Sequence, residues 1–120
     1  MENDVTTETT IYKIVPRELW RPARDKGRFD GAAVDVEDGF IHFSTAQQVA
    51  QTAALHFGGQ DDLLLVAVDG AALGDALKYE PSRGGDLFPH LYGPLNMEAV
   101  AWEKDMPLGP DGIHILPGLE

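Results

Sequence analysis

Gly39-Phe40-Ile41-His42-Phe43-Ser44-Thr45 is the stretch whose reading decides the fold. Phe40, Ile41 and Phe43 give it the aromatic and β-branched character of a strand, and Ser44-Thr45-Ala46-Gln47 has the S-x-x-Q spacing of a capping box. The segment therefore reads as a strand running directly into a helix, with Ser44 or Thr45 as the cap. On a period-two strand Phe40, His42 and Ser44 share one face, while Ile41, Phe43 and Thr45 share the other. An imidazole and a hydroxyl then point the same way beside a helix N-terminus, an arrangement suited to an anionic ligand. A purely structural role competes with this: a hydrogen-bonded histidine in a half-buried strand, and a serine that only caps.

Downstream, Ala46, Val49, Ala50, Ala53 and Phe57 form an apolar stripe that Gly58-Gly59 stops, predicting a helix that ends near Phe57. Leu63-Leu64-Leu65-Val66-Ala67-Val68 is apolar without alternation, as expected of a central strand covered on both faces. Residues 71–76 read as a turn or short helix, and Leu77-Lys78-Tyr79-Glu80 as a strand ended by Pro81. Residues 81–95 read as a long loop that gathers Arg83, Phe88, His90 and Tyr92, more chemistry than a connection needs. Residues 97–103 alternate as a strand, and 113–116 read as a last edge strand. Upstream, Ile11-Tyr12-Lys13-Ile14-Val15 is a first strand, followed by a helix containing Leu19, Trp20 and Ala23. Pro22 predicts that this helix starts late, near Glu18, or is kinked. Residues 27–38 show no period and read as a loop. Residues 1–10 read as a flexible N-terminal arm and 11–118 as one globular domain.

The charge balance narrows the function. Nine Lys and Arg face 20 Asp and Glu in 120 residues, a formal net charge of −11. Such a chain repels phosphate backbones and anionic bilayers at long range, which argues against non-specific nucleic-acid or membrane binding. A local pocket for a small anion remains compatible with it. With no cysteine, thiol nucleophiles, disulfides and Cys-ligated zinc are excluded. The acidic, polar start and the lack of a membrane-length apolar run make the cytoplasm the expected location. Of the four histidines, His42 and His90 lie in chemistry-rich segments, whereas His56 and His114 read as structural. Their spacing fits no metal motif, so no metal is expected, and the common hydrolase and nucleotide-binding motifs are absent.

The order of four segments, Ile11-Tyr12-Lys13-Ile14, Gly39 to Thr45, Tyr79-Glu80 and Phe88-Pro89-His90-Leu91-Tyr92-Gly93-Pro94-Leu95, resembles the bacterial family catalogued as domain of unknown function 952. The resemblance spans about residues 11–107. It implies an α+β fold similar to the ADP-ribosyltransferases and RNA 2′-phosphotransferases: split, curved, mixed or antiparallel sheets with two main helices and NAD in the cleft between. Carried over by position, Lys13 corresponds to the first-strand basic residue, Ser44 or Thr45 to the second-strand hydroxyl, and Glu98 to the late acidic residue. A carboxylate at Glu98 would stabilise the oxocarbenium-like charge that develops as a glycosidic bond breaks.

The expectation is one cleft with His42, His90 and Glu98 as catalytic residues. Tyr12, Lys13, Ser44, Thr45, Arg83, Phe88 and Tyr92 are the expected ligand contacts. The partner is a small nucleotide-like molecule, with NAD as cofactor, acted on at the nicotinamide ribose. Two alternatives stand beside it: a non-catalytic nucleotide-binding module, and a two-histidine phosphoesterase built on His42-Phe43-Ser44. The oligomeric state is not legible in these residues.

Overall fold

A computed structural model describes residues 10–118. The proposed N-terminal arm lies, apart from Thr10, outside the described residues. The first strand, β1 (Thr10–Pro16), leads into α1 (Arg17–Lys26), then β2 (Arg28–Phe29), α2 (Ala33–Asp38) and β3 (Ile41–His42). There follow α3 (Val49–Phe57), β4 (Leu63–Asp69), a 3-10 segment Gly70–Ala76 and β5 (Leu77–Pro81). The chain closes with β6 (Leu87–Leu91), β7 (Leu95–Asn96), a 3-10 turn Met97–Ala99 and β8 (Val100–Asp105). This is an α+β architecture of small sheets and few helices.

The unbroken apolar run of β4 does make it a central strand, lying between β1 and β8 and antiparallel to both. Its side chains alternate between two cores. Leu64, Val66 and Val68 join Ile11, Val15, Trp20, Phe29 and Ile41 on one face. Leu63, Leu65 and Ala67 join Tyr12, Ile14, Val49 and Ala53 on the other, beneath α3. Trp20 is fully buried, and its indole N–H donates to Glu103 Oε1 at 2.7 Å, so its burial leaves no polar atom unmet.

A second antiparallel sheet has the order β3-β6-β5, and β2 pairs with β7. Tyr12 and Ser44 exchange both backbone hydrogen bonds at 2.8 Å, and the Phe43 N–H donates to Pro89 O at 3.0 Å. Phe43-Ser44 thus carries the chain from one sheet to the other, placing the start of α3 and the end of β3 at the seam.

Several sequence expectations are corrected. Residues 33–38 are helical, a helix too short to display a period, rather than loop. The strand expected over 40–45 is regular only at Ile41–His42. The following helix begins at Val49 with Gln48 as its N-cap, so neither Ser44 nor Thr45 caps it. Instead Gln48 Oε1 accepts the Thr45 N–H at 3.0 Å, tying the turn before the helix to its first residues. Pro22 sits inside α1, which starts at Arg17 rather than later. The long loop 81–95 is largely the hairpin of β5 and β6, and residues 113–116 contribute an isolated Leu108–His114 bridge rather than a strand.

Candidate functional site

The antiparallel pairing of β3 with β6 sets His42 directly opposite His90. Their rings lie 5.6 Å apart at 71°, and Phe40 packs on both, 4.7 Å from His42 and 4.1 Å from His90, stacked on the latter. Tyr92 closes the group with its ring 5.2 Å from Phe40. His42 is half-buried and His90 buried, while Tyr92 is exposed, so the cluster runs from the interior at His90 to the surface at Tyr92.

Each imidazole is backed by a carboxylate. Nδ1 of His42 lies 2.6 Å from Asp35 Oδ1, and Nδ1 of His90 lies 2.7 Å from Glu80 Oε1. Asp35 is completely buried at the third position of α2, and it is tied on every side. Its Oδ2 accepts the Ala32 N–H at 2.8 Å, its Oδ1 accepts the His42 N–H at 3.1 Å, and Lys13 Nζ stands 3.2 Å away. Gly31 permits this approach. Its φ is +115°, and a Cβ there would come within 2.9 Å of the Asp35 Cβ.

Burial pushes the Asp35 carboxyl upward, but the hydrogen bond from His42, the charge of Lys13 and the two backbone N–H groups together outweigh it and hold it at about 2. Burial lowers the Lys13 ammonium from its ordinary value, against the pull of Asp35. Glu80 is held below the usual carboxylate range by the hydrogen bond from His90 and then by the Tyr92 hydroxyl, which donates at 2.8 Å. Tyr92 is raised in turn, chiefly by that same bond.

These ionisations fix the proton positions. An ionised carboxylate only accepts, so Nδ1 of each histidine carries a hydrogen. His90 is then left with Nε2 as its working atom. Nε2 has no hydrogen-bonding partner among the described residues, in a ring that is itself buried. His42 differs. Its Nε2 lies 2.9 Å from Asp38 Oδ2, a contact that becomes an ion pair when the ring carries a second proton.

The remaining expected site residues are scattered. Lys13 reaches the cluster, but its Nζ is spent on Asp35 and on His42 O at 2.9 Å. Tyr12 is buried on the opposite face of β1, 6.0 Å from Trp102, because neighbours on a strand cannot share a face. The Ser44 hydroxyl is buried on Thr52 Oγ1 at 2.9 Å, a link to α3. Thr45 is half-buried beside Gln48, and Phe88 is buried. Glu98 is exposed on the 3-10 turn, and among the described residues the hydrogen bonds and ion pairs of the His42 and His90 rings go to other carboxylates. The Arg83 side chain lies outside the described residues. Sequence reading missed Asp35, Asp38, Phe40 and Glu80 as site residues. Among the described residues no group of three His, Asp or Glu is placed to hold a metal ion, and no helix is long and apolar enough to cross a membrane.

Residues 14–103 match the family described as Protein of unknown function (DUF952). The chain belongs to this family. The crystal structure of protein CC0527 from Caulobacter crescentus is similar over 89% of this chain and 94% of that one, with 50% identity and a TM-score of 0.86. The solution NMR structure of CC0527 gives 51% identity and a TM-score of 0.79 over 88% and 90% of the two chains. A comparison with curated proteins finds no match. The antiparallel α+β fold seen in this DUF952 chain is thus shared with solved relatives.

Proposed function

We propose that this DUF952 protein binds a small nucleotide-like molecule against Phe40 and Tyr92 and acts on it with His42 and His90 as an acid–base pair. The observation that carries this reading is the pair of carboxylate-backed imidazoles 5.6 Å apart across one strand pairing. The different neighbours of the two rings support different roles for them. His90, with a hydrogen on Nδ1 and a lone pair on Nε2, takes a proton from an attacking hydroxyl or water. His42, in its protonated form, hands a proton from Nε2 to the departing oxygen. One proton enters and one leaves, so the pair is reset by exchange with solvent.

Such a pair suits transfer or hydrolysis at the ribose of a nucleotide or at its phosphate ester. NAD is the first ligand to try, because the family resemblance read in the sequence implies an ADP-ribosyltransferase-like fold. In this scheme Glu98 stays outside the chemistry and Lys13 works through Asp35. The test is calorimetry and product analysis with NAD, ADP-ribose, AMP and a 2′-phosphorylated nucleotide, on the wild type, His42→Gln and His90→Gln. Turnover should fall about 10²- to 10⁴-fold in either variant. Binding without turnover in the wild type makes the protein a binding module, and no binding at all removes the nucleotide reading.

A further inference from the structure

We propose that Asp38 is a displaceable latch, whose carboxylate occupies the place on His42 Nε2 where an oxyanion of the ligand sits. This rests on the acid–base reading above and names the group the ligand must carry: a phosphate or carboxylate oxygen.

Two carboxylates flank His42, and they are built differently. Asp35 is buried and bonded to Ala32, His42 and Lys13, so it is part of the frame. Asp38 is 44% exposed, holds His42 Nε2 at 2.9 Å and stands at the last position of α2. Beyond it Gly39 turns at φ 91°, and Phe40 then enters the cluster. A half-exposed ion pair in high dielectric is weak, so an incoming anion can replace it.

Charge accounting points the same way. Lys13 matches Asp35, and Glu80 is engaged by His90 and Tyr92. That leaves Asp38, 2.9 Å from Nε2, to meet the positive charge that His42 carries when its ring is protonated. When Asp38 swings into solvent, an external anion restores the balance within reach of His90, whose ring is 5.6 Å away. The latch also keeps the acidic proton of His42 covered until such an anion arrives.

The experiment follows the ring nitrogens of His42 by NMR in the wild type, Asp38→Ala and Asp38→Asn, titrated with inorganic phosphate, AMP and adenosine. Removing the latch should tighten phosphate and AMP about three- to tenfold and leave adenosine unchanged. Unchanged thermal midpoints establish that both variants fold, and the asparagine variant separates loss of charge from loss of side-chain volume. Anion affinity that is equal or weaker in both variants, or no phosphate binding in any form, overturns the latch. If phosphate tightens while no nucleotide binds, the latch stands and the nucleotide reading fails; if nucleotides bind equally to all three, the reverse holds.

Discussion

Nδ1 of His42 stands 2.6 Å from Oδ1 of Asp35, and the same carboxylate pairs with the buried ammonium of Lys13. One buried anion therefore orients an imidazole, caps a short helix and balances a lysine on the neighbouring sheet. Removing it leaves Lys13 without its charge partner in a site where its side chain is 9% exposed. Asp35→Ala should cost about 3–5 kcal/mol, measured by urea denaturation. Replacing both partners together, Lys13→Met with Asp35→Leu, should recover most of that loss.

The pH dependence follows from the same group. Asp35 is held at about 2, below its ordinary 3.8, so between those values the unfolded chain binds more protons than the folded one. Stability then rises with pH through this window, and the contribution of about 2 kcal/mol is complete above pH 4 and lost as pH falls through about 2. Asp35→Asn should flatten this acid limb in unfolding curves recorded between pH 2 and 5. A limb of unchanged steepness would assign the acid sensitivity to other carboxylates.

The start of α3 gives a prediction independent of function. Gln48 accepts the Thr45 N–H and donates to Leu87 O at 2.9 Å, joining the helix start to β6. Gln48→Ala should cost ~1 kcal/mol by loss of these bonds. Thr45→Ala should cost less, because the Thr45 contact to Gln48 is made by its backbone N–H.

Gly31 tests how closely Asp35 must be approached. A side chain at φ +115° is strained and would press on the Asp35 Cβ, so Gly31→Ala should destabilise by about 1–3 kcal/mol and disturb the His42 ring signals. Gly27, with φ +94° and open space around it, should disturb stability without touching those signals when replaced by alanine.

How legible this was depended on the length over which each signal acts. The uninterrupted apolar run of β4 announced a central strand, since six consecutive buried positions leave no polar face. His42 and His90 stood out by the chemistry around them. Their pairing is a long-range register, which local periodicity cannot give. Asp35 escaped notice because a six-residue helix shows no stripe, and its contact with His42 is made across the turn at Gly39, between two different elements. Glu80 was readable in principle: had residues 77–91 been read as a hairpin, Glu80 would pair with Phe88 and sit diagonal to His90. Lys13 and Tyr12 could not both face one cleft, and strand alternation alone was enough to say so.

The most direct test of the central claim is a ¹⁵N-edited NMR titration of the histidine ring nitrogens with AMP and NAD. The account predicts a hydrogen on Nδ1 of both His42 and His90 in the free protein, and a joint shift of both Nε2 signals on ligand addition with a single Kd. A hydrogen on Nε2 alone in His90, or a ligand that moves one ring and not the other, would contradict it.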